Sequence, residues 1–218
     1  MTEPDVTLTD YGLFVECAAF AWLIARRPAR LEALRRWIVA FFVFTALAAL
    51  SGGTVHGFFI ADHSGMGRVL WKLSMLAIGA TALAGCAIGA RLLFARNRAD
   101  RAISIAGVLA GVYAGTILFV SDAFWVAVVG YLPAAALLFV AFLTAAVRER
   151  TSWARLGAWG LALSFLGAAV QQLRIGLHPV YFNHNALYHF VQAVALALVF
   201  SACRDLLAPT GGLHADAA

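Results

Sequence analysis

Apolar residues run in seven long stretches along this chain, and the polar residues are confined to the short breaks between them. The stretches cover residues 9–26, 37–60, 69–94, 102–121, 123–147, 153–174 and 185–206. Each approaches or exceeds the ~20 residues that carry a helix across a bilayer. The pattern predicts an all-α fold: a polytopic membrane protein built as a single seven-helix transmembrane bundle over residues 1–207, with a disordered tail at 208–218. The tail is rich in Gly and Ala and has no apolar period. Ser121-Asp122 is the only break between the fourth and fifth spans and predicts a tight turn. The stretch from Gly176 to His184, with Pro179 and two asparagines, predicts a structured loop.

Composition agrees. Hydrophobic residues make up 63% of 218 positions and charged residues 12%, with a mean hydropathy of +0.85; a soluble domain of this size has no use for so much apolar surface. Glu3, Asp5 and Asp10 stand ahead of the first span and arginines follow it. A cleavable signal has the reverse arrangement, so this segment is expected to stay as a helix.

The arginines set a direction. Arg26, Arg27, Arg30, Arg35 and Arg36 follow span one, Arg91, Arg96, Arg98 and Arg101 follow span three, and Arg148, Arg150 and Arg155 follow span five. Arg204 ends span seven, whereas only Arg68 and Arg174 fall at the opposite end. The positive-inside rule then predicts an N-terminus outside and a C-terminus in the cytoplasm, in a bacterial inner or plasma membrane. The net charge of +5 is a topology signal, and no nucleic-acid partner is implied. Membrane lipids are the expected partners.

Small residues suggest where helices meet. Gly107, Gly111 and Gly115 in span four, and Gly85 and Gly89 in span three, recur every four residues and predict close packing in the bundle. Such a face also offers a route to a homo-oligomer. Cys17, Cys86 and Cys203 have no metal-type spacing and read as apolar packing.

Polar side chains gather toward the predicted outer ends of the spans. His56 lies one turn inside the end of span two, His184 and His189 at the start of span seven, with Gln192 one turn below. Glu16 is two turns into span one, Asp62 and His63 follow span two, and Asn185 neighbours His184. Ionisable groups inside a membrane mark function by default. Asn183 and Asn185 also suit a helix cap, and an inter-helix hydrogen bond is the plain structural account of His189 and Gln192. Gly52 and Gly53, one turn before His56, bare a helix face for a neighbouring helix or a ligand.

Three imidazoles and a water form a catalytic zinc set, with nitrogens at about 2.0–2.1 Å. His56, His184 and His189 are the candidate ligands. Asp62 would orient the zinc-bound water and Ser51 would stabilise an oxyanion. His184 and His189 are i, i+5, about 140° apart on a helix, so they converge only if His184 lies in a non-helical approach to the span.

At these residues the chain resembles the seven-span CREST hydrolase superfamily, which includes alkaline ceramidases and progestin/adipoQ receptors. That family carries Ser-xxx-His near the end of span two, an Asp shortly after, and His-xxx-His at the start of span seven. His56, Asp62 and His189 match; Gly52 and Asn185 occupy the positions of the Ser and the first span-seven His, with Ser51 and His184 displaced by one. The resemblance implies a zinc-dependent hydrolase of a lipid amide or ester, acting from the outer side. Two other functions compete: a non-enzymatic membrane protein that binds a lipid or partner with a degenerate metal site, and a haem b subunit ligated by His56 and His189. A retinal protein is excluded, because the sole lysine, Lys72, lies in span three.

Overall fold

The computed structural model describes residues 1–27, 31–62, 65–178 and 181–208. Arg30, His63, Pro179 and the expected disordered tail from 209 onward lie outside the described residues. Among the described residues the chain is mainly helical, with no named strand. The helices are α1 (Pro4–Ala25), α2 (Glu32–Thr54, continued by a π-helical turn Val55–Phe59), α3 (Met66–Leu93), α4 (Arg96–Phe119), α5 (Phe124–Glu149), α6 (Ser152–Gln172) and α7 (His184–Leu206). All seven are long and apolar enough to cross a membrane.

The helices end close to where the apolar stretches end, but α1, α2 and α4 start more than a turn earlier. Charged residues there are held within the first turns. Glu32 pairs with Arg35 at 2.7 Å and with Arg36 at 3.3 Å, and Arg91 reaches Asp100 at 2.6 Å, tying the end of α3 to the start of α4. Pro4 opens α1, where its missing N–H costs nothing.

Six helices form a closed ring in the order α1–α2–α3–α5–α6–α7, with α7 returning to α1; α4 packs on the outside, chiefly against α3. Tyr113 of α4 fills the space between Gly79 of α3 and Gly130 of α5, and its hydroxyl donates to the Met75 carbonyl at 2.8 Å. Gly107, Gly111 and Gly115 do not pack as the sequence suggested. A Cβ at any of them would meet nothing within 4 Å, because α4 turns that face away from the ring. Gly89 does pack, because a Cβ there would lie 3.3 Å from the α5 backbone at Leu138.

The two halves of the ring differ. Toward the arginine-rich end, Phe20 of α1 stacks on Phe200 of α7 at 4.1 Å, and Phe42 of α2 closes edge-on against both. Aromatic packing of this kind leaves no room for solvent. Toward the other end, which holds the starts of α1 and α7 and the close of α2, the ring interior is polar and hollow.

The described residues of the loop before α7 are structured, as expected. His178 and Phe182 form an isolated antiparallel bridge, and the Asn183 side chain accepts from the N–H groups of Asn185 and Ala186 at 2.8 and 3.1 Å, capping the helix.

Candidate functional site

The hollow end of the ring encloses a cavity of about 180 Å³. Helical spacing decides which side chains reach it. On α2 and its π turn, Thr45, Ala49, Gly52 and His56 fall on one face at intervals of three or four; on α3, Trp71, Ser74, Ile78 and Thr81 do the same; on α7, so do His189, Gln192 and Leu196, with Tyr188 beside His189. Asp10 of α1 and Tyr131 of α5 complete the polar lining.

Acids and hydroxyls of α1 clasp the other two helices. His189 sits between Thr9 and Asp10: its Nδ1 is 3.1 Å from Thr9 Oγ1 and its Nε2 is 3.4 Å from Asp10 Oδ1. Both members are nearly sequestered, with 11% and 8% of their side-chain surface exposed. His56 Nδ1 lies 2.6 Å from Glu3 Oε2, and the Thr2 N–H donates to the Gly57 carbonyl in the π turn at 3.0 Å. Asp5 Oδ2 accepts from the Asn183 N–H at 3.0 Å. A π turn adds a residue to the helical repeat and often marks a functional position; this one carries His56.

The glycines of α2 make this approach feasible. A Cβ at Gly53 would lie 2.7 Å from the Cβ of Asp10, and one at Gly57 2.9 Å from Thr7 Cγ2. Both glycines serve helix contact. Gly52 differs, because a Cβ there would lie 3.3 Å from Ser74 Oγ and 3.9 Å from Asp10 Oδ2. Its bare backbone lines the cavity beside those two oxygens.

Two further spaces adjoin the cavity. A vestibule of about 420 Å³, lined by Asp62, Arg68 and Asp122 among others, shares His56 and Trp71 with it. Arg68 pairs with Asp122 at 3.7 Å. Between α5, α6 and α7 runs a mostly apolar crevice lined by residues such as Phe124, Leu132, Phe165 and Ala168, which shares Tyr131, Tyr188 and Gln192 with the cavity.

The residues predicted from sequence divide on this geometry. His56, His189 and Gln192 face the cavity. Asp62 faces the vestibule, and its carboxylate accepts from the N–H groups of Gly65 and Gly67 at 2.8 and 3.1 Å at the start of α3. Ser51 is buried, but its hydroxyl donates back to the Leu47 carbonyl at 2.7 Å and does not line the cavity. Asn185 accepts from Gln171 Nε2 at 3.2 Å, between α7 and α6. Glu16 lies below the site, its Oε2 buried with no hydrogen-bond partner among the described residues.

His184 is the first residue of α7 and stands outside the cavity lining. The approach to His189 is thus helical, and the i, i+5 spacing keeps the two rings on different faces. Among the described residues no three His, Cys, Asp or Glu side chains gather as a metal-holding group. The side chains present do not fit the expected set of His56, His184 and His189.

Asp10 was the residue that sequence reasoning misplaced. It counted as an acid flanking the first span, yet it is buried within α1 and faces the cavity. Its spacing of four from Val6 and of three and seven from Leu13 and Cys17, which form the buried face of α1, is the signal that points inward.

No curated protein and no solved structure matches the chain. From residue 6 to residue 208, a stretch that holds Asp10, His56 and His189, it matches the model of a family of unknown function, DUF6962, and belongs to that family.

Proposed function

We propose that this chain is an integral membrane protein, N-terminus outside and C-terminus in the cytoplasm, that takes an amphipathic lipid-derived ligand into its helix ring. The observation that carries this function is the sharing of Tyr131, Tyr188 and Gln192 between the polar cavity and the apolar crevice. A polar head held near Asp10 and His189 would continue through these side chains to an apolar chain between α5, α6 and α7. Ligand sites in bundles combine such apolar walls with a few convergent polar groups. The arginine-rich ends of α2, α4 and α6, opposite the cavity, support the orientation.

Native mass spectrometry of the protein in a lipid-free detergent tests this. The wild type is expected to retain a lipid, and Gly52→Leu, which fills the cavity, and Ala168→Trp, which fills the crevice, should each release it. Equal retention by both variants and the wild type would overturn the proposal.

A second function, the zinc-dependent hydrolase implied by the resemblance, draws support from one observation: His56 and His189 face the same cavity as Asp10. It predicts stoichiometric zinc in purified protein that is lost in both His56→Ala and His189→Ala; metal retained by both variants ends it. Haem b held by the same two histidines predicts a Soret band in that sample.

A further inference from the structure

Granting that the cavity is a ligand site, its lining combines neutral donors on Gln192, Tyr131 and Tyr188 with hydroxyls that hydrogen-bond the backbone. Ser74 Oγ donates to the Ala48 carbonyl at 2.9 Å, Thr45 Oγ1 to the Phe41 carbonyl at 2.7 Å, and Thr81 Oγ1 to the Ala77 carbonyl at 3.0 Å. With their protons directed to the backbone, the three hydroxyls turn mainly lone pairs elsewhere, and Thr45 and Thr81 Oγ1 also lie 3.5 Å from each other. Trp71 Nε1 likewise donates to the Asp122 carbonyl at 2.7 Å, leaving its ring as the available surface.

Asp10 adds a carboxylate. Its Oδ1 faces His189, while Oδ2 turns toward the bare backbone of Gly52 and makes no hydrogen bond among the described residues. A carboxylate sequenced into a helix bundle and buried to this extent calls for a proton or a cation. Trp71, Tyr131 and Tyr188, from α3, α5 and α7, bring three aromatic rings to the lining, and among the described residues no Lys or Arg lines it. His56, the other basic group there, is matched by Glu3. At the vestibule Asp62 and Asp122 outnumber Arg68.

We propose that the cavity binds an organic ammonium ion, with Asp10 Oδ2 as its counter-charge and Trp71, Tyr131 and Tyr188 as its aromatic enclosure. Aromatic faces attract ammonium groups, most strongly where water is excluded, and a hydrogen bond to a charged group is worth more than one between neutral groups. The ammonium could belong to a membrane amphiphile, which the proposed function requires, or to a small free amine. An anionic head would meet the Asp10 carboxylate with no Lys or Arg among the described lining residues to offset it, and is disfavoured.

The test is binding to full-length protein in detergent, followed by thermal shift and intrinsic fluorescence. Choline and dodecylamine are compared with their uncharged counterparts, 3,3-dimethylbutan-1-ol and dodecanol. At least one ammonium compound should bind about tenfold or more tightly than its neutral counterpart, a preference that Asp10→Asn removes and Trp71→Leu reduces. Trp71→Leu serves also if Asp10→Asn fails to fold. Dodecylamine binding alone indicates a membrane source, and choline binding alone a free amine. Neutral compounds binding as tightly as their ammonium partners would overturn the ammonium site. If dodecanol equals dodecylamine, the amphiphile reading survives that failure; if only choline binds, the ammonium site survives and the amphiphile reading fails.

Discussion

His189 Nε2 and Asp10 Oδ1 stand 3.4 Å apart across the seam between the last helix and the first. The pair closes the helix ring at the end where the ring is hollow. It therefore has a structural role whatever the ligand, and the two roles are separable by experiment.

A double-mutant cycle of Asp10→Asn and His189→Phe should give a coupling of about 0.5–2 kcal/mol in detergent unfolding. Inter-helix polar contacts in bilayers average about 0.6 kcal/mol, so a larger value is not needed. Additive single effects would show that the two side chains do not interact.

Gly53 and Gly111 should respond oppositely to alanine. At Gly53 the new methyl meets Asp10 Cβ at 2.7 Å and the Tyr11 ring at 3.3 Å, and overpacking of this kind costs about 1–3 kcal/mol. At Gly111 it meets nothing within 4 Å, so only helix propensity changes, in favour of Ala by up to about 1 kcal/mol. Thermal unfolding of the two variants decides this. A stabilised Gly53→Ala would contradict the close approach of α1 and α2.

Asn183→Ala should cost about 1 kcal/mol, since it removes the acceptor for two N–H groups at the start of α7. Asn183→Asp should recover most of that loss. Amide exchange confined to the first turn of α7 is the direct measurement, and no change there would contradict the cap.

Ser51 and His184 provide the contrast with the family resemblance. Ser51 spends its hydroxyl on Leu47, and His184 stands outside the cavity. Ser51→Ala and His184→Ala should therefore keep wild-type lipid retention, read by native mass spectrometry. Loss in both would restore the expected hydrolase constellation.

The seven helices were legible because apolar runs of spanning length dominate the chain. The cavity end was legible in part, since histidine inside an apolar stretch is costly and His56, His189 and Gln192 all face it. Gly53 was also legible as a packing position. Asp10 was not, because hydropathy alone cannot distinguish an acid before a helix from one in its first turns whose partner lies 179 residues away. The glycines of α4 misled for a related reason. A small-residue repeat shows that a face can pack closely, but it does not show whether a neighbour is there; in this ring α4 stands outside. His184 failed through one residue of phase: α7 begins at that position, so the ring is committed to the helical repeat.

The proposed ligand site requires that the polar cavity be reachable from the end of the bundle holding the starts of α1 and α7, where the vestibule shares His56 and Trp71 with it. The most direct measurement is labelling of Ser74→Cys, in a background with Cys17, Cys86 and Cys203 replaced by alanine, with a membrane-impermeant cationic thiosulfonate added to one face of sealed vesicles. Labelling from the N-terminal face only, slowed in Gly52→Leu, is the predicted result. Failure to label from that face, or equal labelling from both, would contradict access to the cavity from that end.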